Sequence, residues 1–118
     1  MSDYVVLFPA DDEAQWRASD AADHQAVFDT DEEFGRLLQA RGGAVIGGAG
    51  FTQSDQARTI TRGPGLDALV TEGPATRSDQ QLSGFFIVSC DDYDALVDAA
   101  RVLVRAHPVV EIRPVEEY

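Results

Sequence analysis

Seven residues separate His24 from Asp31. In an α-helix that spacing puts both on one side, about 10 Å apart along the axis. They are too far apart for a direct hydrogen bond, yet both could line one cleft. Asp31 is the more informative of the two, because Val27, Phe28, Phe34 and Leu38 surround it on the apolar stripe of the same segment. A carboxylate placed there needs a partner or a raised pKa. It would then serve as a general base or as an anchor for a cationic group. The plainer alternative puts His24 at the core margin and Asp31 in solvent.

A second group lies downstream. Glu72-Gly73-Pro74 is most simply a turn, but Glu72 could reach into a cleft as a ligand contact or base. Arg77 and Asp79 follow on the same loop and would pair with each other, hold a small acid, or simply face water. The candidate catalytic carboxylates are therefore Asp31 and Glu72. The candidate ligand contacts are His24, Asp31, Glu72, Arg77 and Asp79.

Other chemistries find less support. Cys90 precedes a helix N-terminus, which lowers a thiol pKa, but Asp91, Asp92 and Asp94 oppose a thiolate, so a buried structural cysteine is expected. Gly42-Gly43 and Gly47-Gly48-Ala49-Gly50 follow a helix and lie in a strand. Phosphate loops instead place their glycines between a strand and the following helix. Two histidines and one cysteine have no close ligand spacing, and no metal or other cofactor is expected. No G-x-S-x-G elbow supports a hydrolase.

These residues must be positioned by a short series of elements. Tyr4–Phe8 is a β-rich run stopped by Pro9, and a helical turn is expected around Asp12–Arg17. From Ser19 to Arg41 the period is helical: His24, Val27, Phe28, Phe34, Leu37 and Leu38 share a broad stripe. Ser19 or Asp20 caps its start, and Gly42-Gly43 ends it. A break at Thr30 competes, since Thr30-Asp31-Glu32-Glu33 has capping-box spacing, but the stripe stays in phase and one long helix is expected.

A glycine-laden strand, Ala44–Phe51, follows, with bulges anticipated. Ala57–Arg62 and Leu66–Thr71 flank Gly63-Pro64-Gly65 as a hairpin, and Phe85–Cys90 is the strongest strand. Asp91 is expected to cap a helix with Leu96, Ala99, Ala100 and Leu103 as its buried seam. Pro108 stops it and Val109–Arg113 closes the chain as a strand. The order predicts a single α+β domain over residues 1–118, ferredoxin-like, as βαββαβ with an inserted hairpin.

Twenty-one acidic and nine basic residues give a net charge of -12, and every basic residue is arginine. Residues 1–33 hold ten acids against one arginine. Nucleic acid and anionic membrane are thereby disfavoured, because both require clustered positive charge. No apolar run approaches the roughly 20 residues of a membrane span. Met1-Ser2-Asp3-Tyr4 has no positive region before an apolar stretch, and Cys90 is the sole cysteine, so a cytoplasmic protein is expected. Phe85/Ile87 and Phe86/Val88 suggest a strand covered on both faces. This short chain supplies a cover for one face, which argues for a homodimer.

Val70-Thr71-Glu72-Gly73-Pro74 with Gln81-Leu82-Ser83-Gly84-Phe85-Phe86 resembles the "TDGPF…EQLGGFY" signature of the YCII-related proteins, DGPF branch. Ser89–Leu96 is similar to that family's strand-to-helix junction, and Val110–Val115 to its last strand. Gln39–Gly42 with Gly47–Phe51 is similar to its first helix end and second strand. The resemblance implies a ferredoxin-like protomer that dimerises through its sheets into a dimeric α/β-barrel-type assembly, with a cleft beside the sheet. It also implies a link to sigma factors of the extracytoplasmic-function class, and no settled activity.

Aligned without gaps, the family's helical histidine falls on Asp31, with His24 seven residues upstream, and the aspartate of the YCII branch falls near Ala40. A His–Asp acid–base pair is not carried over. The expectation is an accessory or regulatory domain with a small-molecule cleft. The alternatives are a lyase- or isomerase-like enzyme with a cleft carboxylate as base, and an interaction module for a sigma factor.

Overall fold

The computed structural model describes residues 1–117. Four antiparallel strands form the main sheet: β1 (Ser2–Leu7), β3 (Ala44–Gly50), β7 (Gly84–Cys90) and β8 (Glu111–Pro114). Their spatial order is β3-β7-β1-β8. Two-residue strands β2 (Asp11–Asp12) and β6 (Gln80–Gln81) pair with each other, and β4 (Arg58–Arg62) with β5 (Ala68–Glu72) makes the separate hairpin. The helices are α1 (Glu13–Ala18), α2 (Ala21–Ala40) and α3 (Tyr93–Ala100), the last continuing as a 3-10 segment over Arg101–Arg105. The chain is thus mixed α+β with a four-stranded antiparallel sheet and three helices. No helix among the described residues is long and apolar enough to cross a membrane.

The helix α2 is unbroken through Thr30. Asp20 caps it in a reciprocal box with Asp23, and Gly42 follows its end at φ 85°, a left-handed value that suits glycine. One stripe of α2 meets the sheet, but only Phe34 and Leu38 are fully buried; Phe28 is exposed. The apolar stripe therefore serves two purposes. Its C-terminal half enters the core, and its N-terminal half overhangs the sheet and faces a groove.

The core is a single cluster of Val6, Phe8 and Val88 from the sheet side, Phe34 and Leu38 from α2, and Leu96, Ala99 and Leu103 from the third helix and its extension. Leu96, Ala99, Ala100 and Leu103 are all buried, as their helical spacing requires. The cap of α3 is Asp92, not Asp91: its carboxylate accepts from Ala95 N at 3.3 Å, leaving Asp91 beside the N-terminal ammonium. The closing strand also begins two residues later than its apolar run, because register with β1 pairs Leu7 with Glu111 and Tyr4 with Pro114.

The third strand carries the anticipated bulge between Val45 and Gly47, which shifts its register against β7. Gly48 follows at φ 146°, pressed so close to Phe85 and Phe86 that a Cβ would overlap the Phe85 carbonyl oxygen. The helix α1 stands where a helical turn is expected around Asp12–Arg17, and the short strands β2 and β6 are additions to the sequence-based outline.

Candidate functional site

The side chain at the centre of the site is His107, which pattern reading passed over. It lies just past the 3-10 extension of α3, where its backbone N–H donates to the Leu103 carbonyl at 2.9 Å before Pro108 turns the chain away. Its ring is buried, stacked on Phe8 with centroids 3.7 Å apart and planes 10° from parallel. Its Nδ1 donates to Asp11 Oδ2 at 2.8 Å and its Nε2 to Asp31 Oδ1 at 3.0 Å.

Each carboxylate is fixed by its own element. Asp11 follows the first strand, past Pro9, and is held by pairing with Gln81 in the β2–β6 bridge. Ser83 Oγ donates to the same Asp11 Oδ2 at 2.5 Å. The Phe8 amide donates to Gly84 O at 3.2 Å and the Ser83 amide to Phe8 O at 3.0 Å, so both partners stay in register. Asp31 is one turn before Phe34 and two before Leu38, the two α2 residues anchored in the core. That phase turns Asp31 inward.

The arrangement decides the charge of the ring. A neutral imidazole has one N–H, and would turn a lone pair toward one of the two carboxylates. Burial opposes a charged ring, but its hydrogen bonds to Asp11 and Asp31 and their negative charge prevail, raising the His107 pKa from 6.5 to about 9. At neutral pH the trio is aspartate, imidazolium and aspartate, with one net negative charge. The face of Phe8 adds cation–π contact.

The trio forms part of the wall of a groove of about 1320 Å³ between α2, α1 and the β3–β7 edge of the sheet. Trp16, Phe28, Phe51 and Phe85 supply its apolar surface. Trp16 is positioned by α1, whose Asp12 cap accepts from Gln15 N at 3.0 Å. Glu13 ties this helix to the turn at Ser54, accepting from the Ser54 amide at 2.6 Å and from its hydroxyl.

The five residues expected to bind a ligand do not form one site. Asp31 lies in the groove, side chain about one-fifth exposed. His24 stacks on Trp16 with centroids 3.8 Å apart and donates from Nε2 to the Trp16 carbonyl at 3.0 Å, so it braces the rim helix. Glu72, Arg77 and Asp79 line a separate open depression of about 700 Å³. There the exposed Glu72 carboxylate lies 3.4 Å from Arg58, and Arg77 donates to the Glu72 carbonyl at 3.2 Å. The second carboxylate of the main site is Asp11 rather than Glu72. A His–Asp contact is nevertheless present, made by His107 and Asp31 from separate elements and not within α2. Cys90 is buried, its thiol donating to the Asp92 carbonyl at 3.3 Å.

No family model matches the chain. A protein described as "Uncharacterized protein R00369" from Rhizobium meliloti (strain 1021) is 34% identical over 65 residues, which is 52% of this chain and 52% of that protein. The chain thus spans about half the length of the curated relative it matches.

Proposed function

We propose that the protein is a small-molecule-binding domain of the YCII-related type, DGPF branch, whose ligand sits in the groove against the Asp11–His107–Asp31 trio. The observation that carries this reading is His107 itself: a buried imidazolium clamped at 2.8 Å and 3.0 Å by two carboxylates at the wall of an aromatic-lined groove. Burying one charge between two half-buried ones gains a fold little stability, because desolvation consumes most of what such pairs gain. The ferredoxin-like reading is supported by the strand order β3-β7-β1-β8, with α2 joining β1 to β3 and α3 joining β7 to β8.

The role is accessory binding more than proton transfer. A histidine with a pKa near 9 and a buried ring is a poor proton shuttle at neutral pH. The enzyme reading draws on one feature: Asp31 bonds His107 through Oδ1, leaving Oδ2 without a hydrogen bond among the described residues. Proton NMR in heavy water separates the two. A panel of small aminoketones is expected to bind and shift Trp16 resonances without exchanging the protons on carbon beside the carbonyl. Exchange lost in Asp31→Asn would overturn the accessory reading.

A homodimer belongs to the same proposal. Phe86 and Val88 pack toward the core, so Ile87 alternates to the opposite face, where Val5 and Leu7 are also only half-buried. The β4–β5 hairpin also exposes Ile60, Leu69 and Val70. A second copy is the cover that suits such a surface. The cytoplasmic assignment rests on the free buried Cys90.

A further inference from the structure

We propose that the groove takes an organic ammonium, with an N–H donor directed at Asp31, its charge balanced by Asp11 and Asp31, and an aromatic-sized apolar body among Trp16, Phe28, Phe51 and Phe85. This rests on the groove being a binding site and adds the chemical class of its occupant.

Three independent features select that class. The first is charge. Five carboxylates line the groove, against one imidazolium and the guanidinium of Arg105, and the latter is drawn to Glu33 at 3.3 Å. The chain has no lysine to offer an anion. An anionic ligand would meet uncompensated repulsion, whereas a cation would complete the neutralisation that His107 begins.

The second feature is hydrogen-bonding character. Asp31, about one-fifth exposed on the groove wall, bonds His107 through Oδ1 and leaves Oδ2 an acceptor without a donor among the described residues. Asp11 Oδ1 and Gln53 Oε1, buried behind the same lining, also lack a donor and add negative potential to the wall. Acceptors in this setting call for a donor. An ammonium offers up to three donors and no acceptor, whereas a hydroxyl offers one.

The third feature is the wall. Trp16 and Phe28 meet edge to face with centroids 6.1 Å apart, and Phe51 lies 5.9 Å from Phe85. Aromatic faces attract cations as well as apolar bodies, so they favour a ligand that is both. Asp31 adds what ring faces lack, a directional site for an N–H group.

The test uses the full chain and three compounds of similar shape: 2-phenylethylammonium, 2-phenylethanol and 3-phenylpropionate. Trp16 is the only tryptophan, and its emission reports occupancy. The ammonium is expected to saturate the signal with at least about tenfold higher affinity than the alcohol, and the carboxylate to bind weakest. Asp31→Asn or Asp11→Asn should remove most of that preference, whichever variant folds better. Asp79→Asn, in the separate depression, should leave it intact. Equal binding of alcohol and ammonium, or tighter binding of the carboxylate, would overturn the ligand class while leaving the groove a binding site. No saturable response to any of the three would overturn both.

Discussion

His107 Nε2 lies 3.0 Å from Asp31 Oδ1, joining residues 76 apart in the chain. The bond links the end of the third helix to the middle of α2, two elements already packed through Leu103, Phe34 and Leu38. Asp11, engaged through Nδ1, adds the segment after the first strand. One imidazolium thus ties three separate parts of the fold at the wall of the groove, and measurable consequences follow from its charge.

Stability should fall as pH rises above neutrality. The folded-state pKa of His107, about 9, exceeds its ordinary value of 6.5. Its contribution is therefore complete below about pH 6.5 and lost as pH climbs through about 9. The full loss amounts to at most about 3 kcal/mol. Urea midpoints at pH 6, 8 and 10 should decline in the wild type, and the decline should be much smaller in His107→Gln. A flat profile in the wild type would contradict the assignment.

Removing the cation should cost more than removing either anion. His107→Gln leaves two carboxylates facing an amide that can satisfy only part of their need, and a loss of about 3 kcal/mol is expected. Asp31→Asn keeps the shape and should cost about 1–2 kcal/mol. The double variant should be less destabilised than the sum, with coupling of about 1–2 kcal/mol. Strict additivity in denaturation would mean that the pair does not interact.

Most of this scaffold is legible in the sequence, and the centre of the site is not. Local periodicity gave α2 and the Leu96–Leu103 seam, because burial repeats at the helical period there. The glycine-rich strand announced its bulge. Asp31 stood out because the apolar stripe surrounds it, and the partner it needed is His107. His107 itself left only a faint trace: one histidine between a buried seam and Pro108. Its partners lie 76 and 96 residues away, so no spacing rule reaches them. The β2–β6 bridge that holds Asp11 joins Asp-Asp to Gln-Gln, residues with little strand preference, and only tertiary context makes them pair. His24 misled for the opposite reason: it shares the stripe, but Trp16 covers it.

Gly48→Ala should disturb the groove through the backbone. Its φ of 146° is strained for a residue with a Cβ, and that atom would overlap the Phe85 carbonyl across the β3–β7 ladder. A loss of about 2–3 kcal/mol in chemical denaturation is expected. Gly50→Ala, with open space at the Cβ position, should cost much less. Equal effects at the two positions would show that close approach at Gly48 is unimportant.

The second-copy proposal predicts a light-scattering mass of about twice 12.8 kDa at micromolar concentration. Ile87→Glu places a charge on the sheet face away from the helices and should return the mass to one chain. A wild-type mass of one chain would remove the homodimer from the account.

His107 is a charged imidazolium held between two aspartates. Nitrogen NMR of His107 in uniformly labelled protein tests it most directly. Both ring nitrogens are expected to carry protons at pH 7, with the transition to the neutral ring centred near 9. A neutral His107 at pH 7, with one bare nitrogen and a transition near 6.5 or below, would contradict it.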